Sequence, residues 1–181
     1  NVGDLKPAEY EYQFAMDLAW DINAWTPEKA NEYARHWAEE HFGSELADEI
    51  GEIKTKYTEL AASGKPEHVH VSTLSVKEIE QRLTDYNALV EKVKNVEARV
   101  PDRLKAAYFE LILYPAEGAA AMNEKILGAK LSFDYMNSGK TKEALEMAER
   151  SKNAYLKIRD LTYTYNKVNV SGKWDGIMSY S

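Results

Sequence analysis

The sequence predicts an all-α fold, an antiparallel helical bundle of five to six helices with non-helical stubs at both ends. Two observations carry this. Apolar residues recur at steps of three and four almost without a break from Ala30 to Tyr165, which marks helices with one buried face. Clusters of proline, glycine and capping residues fall in short stretches between those runs, so the helices are joined by short links and neighbours run antiparallel. The helix spacing varies, which argues against a regular solenoid.

Each element has its own signal. Residues 8–20 carry Tyr12, Ala15, Met16 and Ala19 as a helical stripe. Thr26-Pro27-Glu28 reads as a helix start, because threonine can cap and proline suits the first helical position. The stripe that follows is Ala30, Tyr33, Ala34, Trp37, Ala38, His41 and Phe42. Gly43 stops this helix and Ser44 is placed to cap the next, whose apolar face is Leu46, Ile50, Ile53, Tyr57 and Leu60. Ser63-Gly64-Lys65-Pro66 ends it.

Ser75-Val76-Lys77-Glu78 has the form of a capping box, in which serine and glutamate satisfy each other's free amides. It opens a helix with Ile79, Leu83, Tyr86, Val90, Val93 and Val96 on one side. After Val100-Pro101-Asp102, the segment 102–137 is apolar on most sides around Tyr108 to Tyr114, as a central helix should be. Pro115 lacks an amide hydrogen and predicts a kink or short break. Gly118-Ala119-Ala120-Ala121 offers small side chains for close helix approach. Ser138-Gly139 separates off the last helix, Thr141 to Asn166, with the stripe Leu145, Ala148, Tyr155, Ile158, Thr162 and Tyr165.

The expected organisation is one domain over 1–181: a stub over 1–7, the bundle over 8–166 and an extended stub over 167–181. The opening Asn-Val-Gly-Asp-Leu-Lys-Pro reads as a loop leaving a strand, so the chain is expected to be a piece of a larger protein. At 181 residues a fold buries roughly 70% of the surface of its unfolded chain, enough for a core without staples.

Composition narrows the chemistry. There are no cysteines, which removes disulfides, thiolate metal sites and a cysteine nucleophile. The net charge is −7, from 30 acidic and 23 basic residues. No dense basic stripe for nucleic acid is present, and no apolar run reaches the ~20 residues of a membrane span. Nucleic-acid and membrane partners are therefore not expected.

His36 and His41 lie five apart, about 140° around a helix, whereas a zincin helix holds its histidines four apart. His68 and His70 alternate beside Glu67 in a linker, and a di-iron bundle needs two Glu-x-x-His motifs on core helices. No metal and no cofactor are expected. Gly-x-x-x-x-Gly-Lys, Gly-x-Gly-x-x-Gly and Gly-x-Ser-x-Gly are all missing. Glu39, Glu40, Glu49, Glu52, Glu143 and Glu146 fall on polar helix faces. Trp20, Trp25, Trp37, Tyr108, Phe109 and Tyr114 are expected in the core, with Trp20 and Trp25 the two that could instead cover a neighbouring domain. The polar pair in a non-helical setting is Asn1 and Asp4.

Several stretches resemble glycoside hydrolase family 115. They are Asn-Val-Gly-Asp-Leu-Lys-Pro-Ala-Glu-Tyr at the start with Met16-Asp17-Leu18-Ala19-Trp20, Tyr108-Phe109-Glu110-Leu111-Ile112-Leu113-Tyr114-Pro115 with Met122-Asn123-Glu124-Lys125, and Gly172-Lys173-Trp174-Asp175-Gly176-Ile177-Met178-Ser179. The resemblance thus runs over essentially the whole chain. It implies large α-glucuronidases of xylan side chains, built from an N-terminal mixed domain, a (β/α)8 catalytic barrel, a helical bundle and β-sandwich material. It further implies a bacterial, periplasmic or secreted parent.

On that map the chain is the bundle after the barrel. Barrel sites are assembled from several strand ends, and glycoside hydrolysis needs two carboxyl groups across the scissile bond. No catalytic residue is therefore assigned here; the family's acid and base are expected upstream of Asn1. Asn1 and Asp4 are expected at the edge of the parent's substrate site. The expected role is a non-catalytic domain that braces the barrel and contributes to dimerisation, with the barrel and β-sandwich of the parent as partners. The competing reading is an independent helical module that binds a peptide or sugar.

Overall fold

The computed structural model describes residues 5–64, 68–69 and 73–179. Regular structure among them is helical, with no strand. The helices are α1 (Glu9–Trp20), α2 (Tyr33–Phe42), α3 (Ser44–Ala62), α4 (Val76–Glu97), α5 (Lys105–Tyr108), α6 (Tyr114–Asn137) and α7 (Thr141–Tyr163). A π-turn over Phe109–Leu113 fuses α5 and α6 into one rod. Two hairpins, α2–α3 and α6–α7, are joined through α4, which packs on both α3 and α6.

The faces of α2, α3 and α4 follow the predicted periodicity, except that His41 is exposed and Tyr57 only half-buried. Tyr33, Ala34, Trp37, Ala38 and Phe42 are buried on α2, and Leu46, Ile50, Ile53 and Leu60 on α3. On α4 the full predicted set from Ile79 to Val96 is buried. The box that starts α4 is formed as predicted. Ser75 N–H donates to Glu78 Oε2 at 2.8 Å, and Glu78 N–H donates back to Ser75 Oγ at 3.4 Å. Ser75→Ala is expected to lower stability by about 1 kcal/mol, read as a shifted denaturation midpoint at unchanged slope.

Other details differ from the sequence reading. The stripe Tyr12, Ala15, Met16, Ala19 does not face the bundle; Ala15, Met16 and Ala19 are exposed. Tyr10 and Phe14 turn inward instead, their rings 5.6 and 4.5 Å from that of Tyr33. Asp17 on the same side accepts from Tyr33 Oη at 2.9 Å. Rings four apart and a carboxylate one turn on offered more to bind than a stripe of alanines. The Thr26-Pro27 signal yields only turns and a 3-10 turn at Ala30–Glu32, so α2 begins later, at Tyr33. Ser44 does not cap α3; it is the first helical residue, preceded by Gly43 at φ +89°.

Pro115 produces a widened turn rather than a break. Tyr114 N–H reaches back five residues to Phe109 C=O, and the proline, with no amide to place, continues the helix. Of the small residues Gly118 to Ala121, the three alanines are buried, whereas Gly118 is only partly buried and meets no neighbouring helix. Closest approach to α7 comes further along, where a Cβ on Gly128 would lie 3.5 Å from Met147 O. Ser132 and Ser151 stitch this hairpin by donating to Ala144 O and Lys125 O.

The first half of α7 therefore packs through small residues. Ala144 and Ala154 are buried, whereas Leu145 and Tyr155 are 61% and 40% exposed and Ala148 is exposed. Only Ile158, Thr162 and Tyr165 of the predicted stripe are buried. The tail after 166 is not extended. A π-turn covers Thr164–Val168, followed by a 3-10 turn at Asn169–Gly172 in which Val170 and Ser171 are left-handed, φ +47° and +54°. That is a strained backbone for a β-branched residue. The Asn166 side-chain amide clasps the tail by bonding both the N–H and the C=O of Met178.

Candidate functional site

Asn1 and Asp4, the candidate substrate residues, lie outside the described residues, as does His70. The remaining histidines are apart. His36 sits 3.4 Å from Glu40 on the α2 surface, His41 bonds Gln13, and His68 is exposed in a short turn. Among the described residues no three His, Cys, Asp or Glu side chains cluster as metal ligands.

What the fold does bring together was largely unforeseen. At the π-turn, Glu110 is buried with its side chain 4% exposed. Its Oε2 lies 2.7 Å from Lys6 Nζ, and its Oε1 accepts from Asn169 Nδ2 at 2.7 Å. Lys6 also contacts Glu9 and lies over the Trp174 ring at 4.6 Å. Burial works against the Lys6 ammonium, but the Glu110 and Glu9 carboxylates outweigh it and hold its pKa above the usual value. One carboxylate thus ties the start of α1 and the C-terminal tail to the central rod. A cleft of about 290 Å3 opens beside it, lined by Tyr57, Tyr114, Met122 and Met178. Its carboxylate is fully engaged by a cation and an amide, which suits anchoring rather than proton transfer. The signal in sequence was a lone charge inside the apolar run Phe109 to Tyr114.

A second buried charge is Lys54, 7% exposed. Its ammonium lies 4.1 Å from the Tyr10 ring centre and 5.5 Å from that of Trp37, an aromatic box in which ring faces replace water. Burial pushes its pKa down, countered only in part by Glu11. Between that lowered value and the ordinary one, the unfolded chain binds more protons than the folded one, so stability rises with pH across the window. Above pH 10 the sign reverses, because burial raises Tyr10, Tyr86, Tyr114 and others, and the unfolded chain then loses its phenolic protons first. Thermal melts between pH 7 and 10 are expected to show the rise, and Lys54→Met is expected to flatten it.

A third site is a groove of about 400 Å3 between α4 and α7, floored by α6. Its floor is Ala120 and Ala121. One end is closed by Glu124 paired with Arg150 through Nε at 2.5 Å and Nη2 at 3.0 Å. Beyond the other end Glu117, its side chain 7% exposed, lies 3.1 Å from both Lys94 Nζ and Lys157 Nζ.

The most open apolar surface is the outward side of α1 and the turn after it. Leu5, Met16, Trp20 and Ile22 are 63%, 58%, 93% and 76% exposed. Trp25 behaves otherwise, half-buried edge-on to Tyr33 at 4.8 Å. Of the two tryptophans that could cover a neighbouring domain, Trp20 is therefore bare, whereas Trp25 packs on the bundle.

Residues 1–68 match the sequence profile of glycosyl hydrolase family 115. Among curated proteins, none matches in sequence. Among solved structures, a family GH115 4-O-methyl-α-glucuronidase with specificity for decorated arabinogalactans shares the fold at a TM-score of 0.85 and 33% identity. The match covers 99% of this chain and 24% of that enzyme, so the chain spans about a quarter of its length. The profile match over residues 1–68 and the fold shared over 99% of the chain at 33% identity relate the chain to glycosyl hydrolase family 115.

Proposed function

We propose that the chain is a non-catalytic helical domain of a larger α-glucuronidase, and that it braces the catalytic barrel through the outward face of α1. The observation that carries this is Trp20, 93% exposed beside Met16 and Ile22. Large apolar side chains bared this fully on one helix and the turn after it suit a partner, and α1 lies within the residues that match the family profile. In the parent, the barrel supplies the two carboxyl groups that glycoside hydrolysis requires. The substrate class is a polysaccharide carrying glucuronic acid or its 4-O-methyl form, such as decorated xylan or arabinogalactan. Asn1 and Asp4 stand at the edge of that site. A contribution of the bundle to dimerisation belongs to the same reading.

Two measurements test it. The purified chain alone is expected to release no glucuronic acid from decorated xylo-oligosaccharides or arabinogalactan; release by material free of full-length enzyme would overturn the proposal. Trp20→Asp is expected to change the stability of the isolated chain by no more than about 0.5 kcal/mol, yet to lower the melting temperature and activity of the full-length enzyme. An unaffected full-length enzyme would show that α1 docks on nothing.

A further inference from the structure

The groove between α4 and α7 has the makings of a ligand site of its own, remote in character from the apolar face of α1. It exists because α6 presents alanines where a bundle usually presents large apolar residues. The antiparallel helices arrange its walls in three layers. Asn87, Glu124 and Arg150 form the first. Val90, Ala120, Ala121, Asn153 and Ala154 form the second. Lys157 closes the far end, and Lys94 and Glu117, which stand just beyond the groove, form with it a third layer about 10 Å from the first by helical rise over seven residues.

The layers differ in charge. In the first, the Arg150–Glu124 pair is neutral. In the third, one buried carboxylate is shared by two ammonium groups, both of which reach solvent, with Lys94 and Lys157 side chains 56% and 39% exposed. That layer holds an excess positive charge. Glu117 Oε1 and Glu124 Oε1 are both buried and both held by cations, the first 3.1 Å from Lys94 and Lys157 Nζ and the second 2.5 Å from Arg150 Nε. Between the layers lies a small apolar floor, rimmed by the exposed amides of Asn87 and Asn153.

We propose that this groove binds the ring of a hexuronic acid, with the sugar carboxylate at Lys94 and Lys157 and the ring over Ala120, Ala121 and Ala154. Hydroxyls then meet the side-chain amides of Asn87 and Asn153, which can both donate to and accept from them. The volume fits one or two rings, at the small end of ligand pockets. The site lies on helices, whose rigidity holds such groups in place. The inference does not depend on what α1 packs against, and it adds a non-catalytic sugar subsite to the bundle.

The test is a titration of the 15N-labelled chain with sodium D-glucuronate, with D-glucose and sodium acetate in parallel. Glucuronate is expected to give saturable shifts confined to α4, α6 and α7, the Asn87 and Asn153 side-chain amides among them. Glucose and acetate are each expected to bind at least fivefold more weakly. Lys157→Met and Asn153→Leu, neither at a buried position, are expected to weaken glucuronate at least fivefold while the circular dichroism spectrum is retained. No saturable shift, or equal affinity for acetate, would overturn the proposal, as would shifts elsewhere or variants that bind as the parent chain does. The α1 docking is read separately by Trp20→Asp, so either idea can fail alone.

Discussion

Trp37→Ala is expected to lower the stability of the chain by about 4 kcal/mol, the range for removing a large buried aromatic. For a chain of this size that corresponds to a fall in melting temperature of roughly 8–16 °C. Trp37 is 1% exposed. Its ring meets Tyr10 edge-on at 5.2 Å, His41 at 4.9 Å and Phe42 at 5.8 Å, and it forms one wall of the Lys54 box. The void cannot collapse easily, because α1, α2 and α3 all border it. The loss should also loosen α1, which is held to the bundle through Tyr10 and Phe14. Chemical denaturation followed by circular dichroism gives the value; a loss below 2 kcal/mol would mean that the aromatic cluster repacks around the gap.

Gly51→Val is expected to cost about 3 kcal/mol by forcing a side chain into filled space. A Cβ at Gly51 would lie 2.8 Å from Arg35 Cα and 2.9 Å from Arg35 N. Those are backbone atoms of α2 and cannot swing aside, so the α2–α3 hairpin must spread. Alanine at this position gains helix propensity, about 1 kcal/mol, but meets the same atoms and should still destabilise. Gly118→Ala is the control. Nothing lies within 4 Å of its Cβ position, so there the propensity gain stands alone and stability should rise. Opposite signs for one substitution on two helices separate steric contact from propensity; a stabilising Gly51→Ala would sink the argument.

Much of the fold was legible because burial on α2, α3 and α4 follows large apolar residues at regular steps. Legibility failed where that rule does. On α7 the face turned to α6 is built from small residues, Ala144 and Ala154 buried and Ser151 partly so, and weight of hydrophobicity pointed to Leu145 and Tyr155 instead. On α1 two apolar faces competed, and hydrogen bonding by Asp17 and Gln13 decided between them, a term no periodicity contains. The buried charges hid for a related reason. Lys54 and Glu110 stand on apolar faces, where their partners come from residues 44 to 104 positions away or from ring faces. The groove between α4 and α7 is made of alanines and asparagines, which by themselves announce nothing. Only the family resemblance, carried by whole stretches and not by single residues, identified the kind of protein.

The wide turn at Phe109–Leu113 sets the phase of the whole central rod. In an uninterrupted α-helix, residues five apart diverge by about 140°. Tyr108 and Leu113 are five apart, and both are buried, at 0% and 6% exposure. The extra residue in the turn takes up roughly 100° of that divergence, as a vernier does, so the two halves of the rod look in the same direction. Closing this turn into regular α-helix with every residue kept would set the two halves of the rod about 100° out of phase. Tyr108 would rotate out of the core, and its hydroxyl would leave Val93 C=O, to which it now donates at 2.8 Å. Glu110 would turn with it, away from Lys6 and Asn169. A local irregularity of one residue therefore keeps three distant segments of the chain in register.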